Sequence, residues 1–310
     1  MALLGKTKLD VFPLCLGGNV FGWTADRAQS FAVLDAYAEA GGNFIDTADS
    51  YSHWVPGHVG GESETIIGEW MAERRNRDRM VIATKVGQSP RLKGLSRAVI
   101  TESVEGSLRR LRTDHIDLYY AHIDDENTQL AESLQAFDAL VKQGKVRYLG
   151  ASNYHSERLS EAINTATEHG TARYDVIQPH YNLLERQDYE RDLLILCKSQ
   201  EIACLPYFSL AKGFLTGKYR PGARVESARA QGASAYLNER GLRVLGELDR
   251  IAAAHGTTVA AVALAWLRDQ PTVVAPIASA RTVEQLREIV PMATLGLNGD
   301  ERAQLTAASN

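Results

Sequence analysis

Short apolar runs alternate along this chain with longer segments whose apolar residues recur at helical spacing. The runs are PLCLGG (13–18), NFIDTA (43–48), MVIATKV (80–86), IDLYYAH (116–122), VRYLGAS (146–152), DVIQPH (175–180), IACLPY (202–207) and VVAPIA (273–278). They are rich in Val, Ile and Tyr and show little polar alternation, the pattern of strands covered on both faces. Between them lie amphipathic stretches such as SFAVLDAYAEAG, SRAVITESVEGSLRRL, QLAESLQAFDALVKQG and SERLSEAINTATEHG. Several open on Ser or Asp and close on Gly41, Gly144 or Gly170, which supply the left-handed turn a helix end favours. Eight such β-then-α units without interruption predict a closed (β/α)8 barrel, with a doubly wound open sheet as the competing arrangement.

Two segments exceed the repeat. Residues 208–235, after the seventh run, form a long loop, and residues 237–255 add an extra helix before the core helix predicted at 258–269. Loops this long in a compact domain usually carry function. Residues 51–63 form a second long loop rich in Gly and aromatic residues, and the tail beyond Pro291 reads as one short surface helix. With no linker or low-complexity stretch, residues 1–310 are expected to form one barrel domain with extra surface helices.

Composition narrows the function. At 45% hydrophobic and 23% charged residues the chain can bury a large core, and its net charge of −4 argues against a nucleic-acid partner. Cys15, Cys197 and Cys204 form no CxxC pair and fit buried free thiols in a reducing compartment. No stretch reaches the ~18 apolar residues of a membrane span, and MALLGKTKLD turns polar too early for a signal-peptide core. A soluble cytoplasmic protein without a membrane partner is the expectation.

In such a barrel the active site lies at the carboxyl ends of the strands. There the runs place Asp46, followed by Tyr51, then Lys85, His122, Ser152, Asn153 and Gln178. A phenol has an ordinary pKa of about 10, and a neighbouring ammonium lowers it toward the working range. Lys85 would supply that ammonium, Asp46 would hold Lys85, and His122 would donate a hydrogen bond to a substrate oxygen. Such a set can protonate an alkoxide as hydride reaches its carbon. Taken singly, each of these residues is as well explained by a salt bridge or by packing.

The words around these residues resemble the aldo-keto reductases: FIDTADSYS (44–52), GGESETIIG (60–68), VIATKVG (81–87), IDLYYAH, VRYLGASNY (146–154), IQPHYNLLER (177–186), GFLTGKY (213–219) and PIASARTVEQL (276–286). The resemblance implies an NADPH-binding barrel, of monomer size, that reduces an aldehyde or ketone; no GxGxxG or P-loop is present. Asp46, Tyr51, Lys85 and His122 match the catalytic tetrad, with Tyr51 as proton donor. Ser152, Asn153 and Gln178 match the contacts to the nicotinamide carboxamide, and Tyr207 the ring stacked on it. Gly18 and the segment Ser209, Leu210, Lys212, Gly213, Leu215, Gly217 and Lys218 match the cofactor cradle and its pyrophosphate strap. Ser279, Arg281 and Gln285 match the adenosine end, where Arg281 would fork onto a 2′-phosphate and favour NADPH over NADH.

Three departures stand out. Phe208-Ser209 replaces a common Ser-Pro, Asp124-Asp125 a common Pro-Asp, and Ile289 an Asn that meets the adenine. Phe21, Trp23, His53, Trp54 and the loop around Tyr236 are candidate walls for an apolar or sugar-like carbonyl substrate. The competing readings are a cofactor-binding regulatory subunit, since the family resembles the potassium-channel β-subunits, and a metal-dependent barrel hydrolase. The second would need ligands among His53, His58, His122, His155 and His180, which show no H-x-H or H-E-x-x-H spacing.

Overall fold

The computed structural model describes residues 1–310 as a parallel β-barrel ringed by helices. The barrel strands are Cys15–Gly17, Phe44–Asp46, Val81–Val86, Ile116–Ala121, Val146–Ser152, Tyr174–Gln178, Ala203–Cys204 and Ile277–Ala278. The first seven pair in parallel, each with the next, and the eighth pairs with the first through Ile277 opposite Cys15. Between the seventh and eighth, single backbone bonds complete the ring: Cys204 N–H donates to the Thr272 carbonyl at 2.8 Å and Ile277 N–H to the Pro206 carbonyl at 3.0 Å. These two strands are shorter than their apolar runs because Pro206 and Pro276 have no N–H for a ladder.

Strand periodicity decides what the barrel holds. Phe44, Val81, Ala83, Leu118, Tyr120 and Val176 point into the lumen, whereas Ile45, Ile82, Tyr119 and Ile177 pack outward against the helices. Asp46, Lys85, His122 and Gln178 continue the inward series of their own strands, so all four reach the lumen at its carboxyl rim. Gly150 is required at the same level, since a Cβ there would stand 2.3 Å from the Tyr120 ring.

The other end of the lumen is closed by a feature the hydrophobic pattern does not foretell. Ala2–Leu3 and Asp10–Val11 form an antiparallel hairpin, which sets Leu4, Leu9 and Val11 beneath Cys15 and Phe44.

The helices follow their predicted boundaries closely. Arg27–Glu39 opens on a capping box of Asp26 with Gln29, Arg97–Leu111 on Ser96, and Ser156–His169 ends on Gly170 at φ 61°. The extra helix is Glu239–His255, capped by Asn238, and the core helix Val259–Arg268 follows. The long loop is not featureless: it contains a 3-10 turn, Ala211–Thr216, and a short helix, Ala230–Ser234. The tail holds a 3-10 turn, Val290–Ala293, before the helix Gly299–Ala308. All three cysteines are buried as free thiols. No single helix is long and apolar enough to cross a membrane.

Candidate active site

A cleft of about 870 Å³ opens at the carboxyl rim, and Asp46, Tyr51 and His122 line it together with Ser152, Asn153 and Gln178. Lys85 lies just beneath this lining, fully buried, with its ammonium fixed by three acceptors. Its Nζ donates to Asp46 Oδ2 at 2.6 Å, to the Thr47 carbonyl at 2.8 Å and to Tyr51 Oη at 2.9 Å. Asp46 is held from its other side by Gln178 Nε2 at 2.9 Å. Every polar atom that fixes the Tyr51 hydroxyl is therefore itself held by a neighbour.

The charge states follow from this packing. Burial pulls the Lys85 ammonium down, but Asp46 and the Tyr51 oxygen more than offset it and leave it above the ordinary lysine range. Burial pushes the Tyr51 phenol up to about 12, against the downward pull of Lys85. The expectation of a lowered phenol is corrected to that extent: the ammonium acts in the expected direction, and desolvation outweighs it. Burial, with the Lys85 charge adding to it, holds His122 well below its usual range, so its imidazole is neutral at pH 7. His122 Nδ1 is buried without a hydrogen-bond partner, and the ring lies 6.0 Å from that of Tyr51.

The residues matched to a nicotinamide form a connected chain. Asn153, at φ 60°, donates through Nδ2 to the His122 carbonyl at 2.9 Å and to Ser152 Oγ at 3.2 Å. Ser152 Oγ donates to the Gln178 carbonyl at 3.0 Å, and Tyr207 Oη donates to Asn153 Oδ1 at 2.8 Å. The Tyr207 ring stacks on His180 with centroids 5.4 Å apart, meets Phe208 edge to face at 5.2 Å, and lines the cleft.

Beyond Tyr207 the backbone turns left-handed at Phe208, Ala211, Lys212 and Gly213, with φ of 50°, 47°, 57° and 100°. Ser209, Leu210, Lys212, Gly213, Gly217 and Lys218 line the cleft from this segment, and Ser279, Arg281 and Gln285 line its far end. The departures from the family words are accommodated locally. The Phe208 carbonyl accepts from Asn182 Nδ2 at 3.0 Å and Ser209 Oγ donates to the Pro206 carbonyl at 2.9 Å. Asp124 pairs with Arg158 at 2.8 Å and Asp125 accepts from Leu95 N–H at 2.7 Å, so that turn is pinned. Ile289 lines the cleft as a buried apolar side chain.

Five expected lining residues lie elsewhere. His53 turns its Nδ1 to the Ser50 carbonyl at 2.8 Å, and Tyr236 packs on Phe214 and donates to Glu185 at 2.9 Å, so neither walls the cleft. Phe21 and Leu215 are fully buried in the layer between strands and helices, so neither is a wall of the cleft. Gly18 sits behind the lining, where its carbonyl accepts from Ser63 Oγ at 2.7 Å; its neighbours Gly17 and Asn19 line the cleft instead. A Cβ on Gly17 would meet Ser279 Oγ at 2.6 Å, so this wall admits only glycine. Trp23 and Trp54 do form a wall, edge to face at 5.5 Å, with Trp54 6.3 Å from Tyr51.

One lining residue escapes the sequence reading altogether. Arg229, in the long loop, places its guanidinium 5.7 Å from the Trp23 ring. Burial draws Arg229 and Lys218 below their usual ranges, and Arg281 adds to both. Neither these three cations nor Lys212 forms an ion pair; Glu288, which also lines the cleft, acts on Lys218 only at longer range, so positive charge predominates along one side of the cleft.

A parallel barrel whose strand ends gather titratable groups at one rim is the framework of a barrel enzyme. The chain belongs to the aldo/keto reductase family, whose model matches residues 13–310, and is an oxidoreductase of that family. It is 34% identical to a putative aryl-alcohol dehydrogenase of Saccharomyces cerevisiae, over 97% of this chain and 84% of that protein. It is 36% identical to the norsolorinic acid reductase stcV of Emericella nidulans, over 94% of this chain and 77% of that protein. The oxidoreductase YrpG of Bacillus subtilis is 35% identical, over 95% of this chain and 91% of its own length.

Proposed function

We propose that this chain reduces an aldehyde or ketone to an alcohol with NADPH, and that Tyr51 is the proton donor. The observation that carries the reading is the Lys85 ammonium, fully buried, 2.9 Å from Tyr51 Oη and 2.6 Å from Asp46. A phenol held near 12 keeps its proton throughout the neutral range, as a donor must. A fixed cation at its oxygen then stabilises the phenolate left behind, without solvent having to reorganise. Neutral His122 offers one N–H to the carbonyl oxygen and orients it toward Tyr51.

The residues present fit a dinucleotide. Gly17 opens the wall at Ser279, Tyr207 lines the cleft with its ring, and the Lys212, Lys218, Arg229 and Arg281 cations outnumber the single nearby acid, Glu288, and form no ion pair with it. We assign Tyr207, Ser152, Asn153 and Gln178 to the nicotinamide, Lys212, Lys218 and Arg229 to the pyrophosphate, and Arg281 to the 2′-phosphate. When bound, the reduced cofactor supplies hydride to the carbonyl carbon. Tyr51 then transfers its proton to the carbonyl oxygen, Lys85 holds the resulting phenolate, and Trp23 and Trp54 shield the site from water. The paired tryptophans, together with the name of the yeast relative, favour an aryl carbonyl substrate.

The test is a panel of aryl and aliphatic aldehydes followed by loss of nicotinamide absorbance. Turnover with NADPH is expected at a kcat/KM at least about tenfold above that with NADH, the worth of one charge-assisted phosphate contact. Equal use of the two cofactors would remove Arg281 from its assigned role, and no turnover with either would remove the reading.

A further inference from the structure

Directly outside the barrel wall from Lys85 lies a second polar cluster that the reaction above leaves unused. Thr84 precedes Lys85 and points outward, where its Oγ1 donates to Glu64 Oε1 at 2.5 Å. Glu64, fully buried on the helix Glu62–Arg74, also accepts from Arg110 Nε at 2.6 Å, from the helix Arg97–Leu111. Asp49 completes the group from the turn between Asp46 and Tyr51. Its side chain is buried, at 5% exposure, and neither carboxyl oxygen has a hydrogen-bond partner. The Tyr119 hydroxyl, fully buried on the strand Ile116–Ala121, is also unpartnered.

An ionised carboxylate without a partner is among the costliest groups to bury, whereas the neutral acid is tolerated. The charged and titratable groups facing Asp49 are Glu64, Arg110, Lys85 and Tyr119. Arg110 is bonded to Glu64 rather than to Asp49, though its charge, like that of Lys85, still pulls the Asp49 carboxyl down. Burial and the Glu64 charge push Asp49 up to about 8, against Arg110 and Lys85. The Asp49 N–H donates to the Lys85 carbonyl at 3.2 Å, which fixes the Asp49 backbone against the strand that carries the site's ammonium.

We propose that Asp49 is a positioning residue for the reaction: neutral, it leaves the Lys85–Asp46–Tyr51 charge balance intact; ionised, it sets a negative charge against Lys85 from outside the wall and opposes loss of the Tyr51 proton. The inference rests on Tyr51 being the acid of the reaction. It makes the turn DTADSY a device with two carboxyls of opposite behaviour, one paired with Lys85 in the lumen and one kept uncharged behind it. It also means that alkaline pH weakens Tyr51 as a donor before Tyr51 itself ionises.

The test combines a kinetic and a substrate-free measurement. In alcohol oxidation, using the alcohol of the best aldehyde in the panel, kcat/KM rises with pH as Tyr51 ionises. Asp49→Asn should move that rise to lower pH by about half a unit or more, since one opposing charge is gone. Infrared titration of the unaltered protein should show a protonated aspartic acid at pH 6 that is lost near pH 8, and Lys85→Met should move that loss to higher pH, because coupling between two groups is reciprocal. Superimposable kinetic profiles, no such protonated acid, or a titration indifferent to Lys85→Met would each overturn the proposal. If Tyr51→Phe retains the alkaline rise, the assignment of Tyr51 has failed instead; the infrared band is assigned to Asp49 by its absence in Asp49→Asn, or in Asp49→Ser should Asp49→Asn not fold, since Asp175 is also raised by burial.

Discussion

The two sides of the cleft are built on opposite plans. On the side of Asp46 and Lys85 the polar groups sit on strand ends, are buried, and complete one another's hydrogen bonds. On the side of Lys218, Arg229 and Arg281 the groups sit on a long loop and beyond the last strand, carry like charge and form no ion pair, with Glu288 the one acid nearby. The first side holds a geometry that must not move during the reaction. The second stores unfavourable charge that only an anionic ligand relieves, so its energy is released on binding. On the proposed function, chemistry falls on the rigid part of the fold and ligand capture on its most irregular segment.

That contrast can be broken from either side, and the larger effect belongs to the strand ends. Lys85→Met removes the cation at the donor oxygen and leaves Asp46 buried without its ion pair. A loss of about 10³-fold in kcat is expected, with about 3–5 kcal/mol of stability, read from steady-state kinetics and denaturant unfolding. A variant as stable and active as the parent would mean that the pair is ornamental.

A milder outcome is expected on the loop. Arg229→Ala should weaken NADPH binding about tenfold, or 1.4 kcal/mol, with kcat nearly unchanged and thermal stability unchanged or slightly raised, because it removes a crowded charge. Fluorescence titration of the cofactor and a melting curve measure both. A fall in kcat at unchanged affinity would instead move Arg229 from ligand capture to the reaction itself.

How much of this was legible in the sequence follows the same division. The strand-end residues are legible because each strand's inward parity runs on to a polar residue: Val81, Ala83, Lys85 in one case and Leu118, Tyr120, His122 in another. Period-2 geometry leaves such residues only the lumen. Phe21 and Leu215 show the converse, since an apolar residue in a loop reads equally as cleft wall or as core, and both are core. Arg229 lies in a stretch without periodicity, where nothing marks which of several arginines turns inward. The N-terminal hairpin joins strands of only two residues each, too short for any alternation to register. Asp49 stands in full view within DTADSY, but its meaning depends on burial and on the lack of a partner, and neither is written in the chain.

The central claim is that the Tyr51 phenol, seated on a buried ammonium, delivers the proton. The most direct measurement compares single-turnover aldehyde reduction by the parent and Tyr51→Phe, both saturated with NADPH, with cofactor affinity measured alongside. Intact affinity and a rate reduced by about 10³-fold or more are expected, the span general acid catalysis covers. A Tyr51→Phe variant that binds NADPH and turns over at the parent's rate would contradict the account.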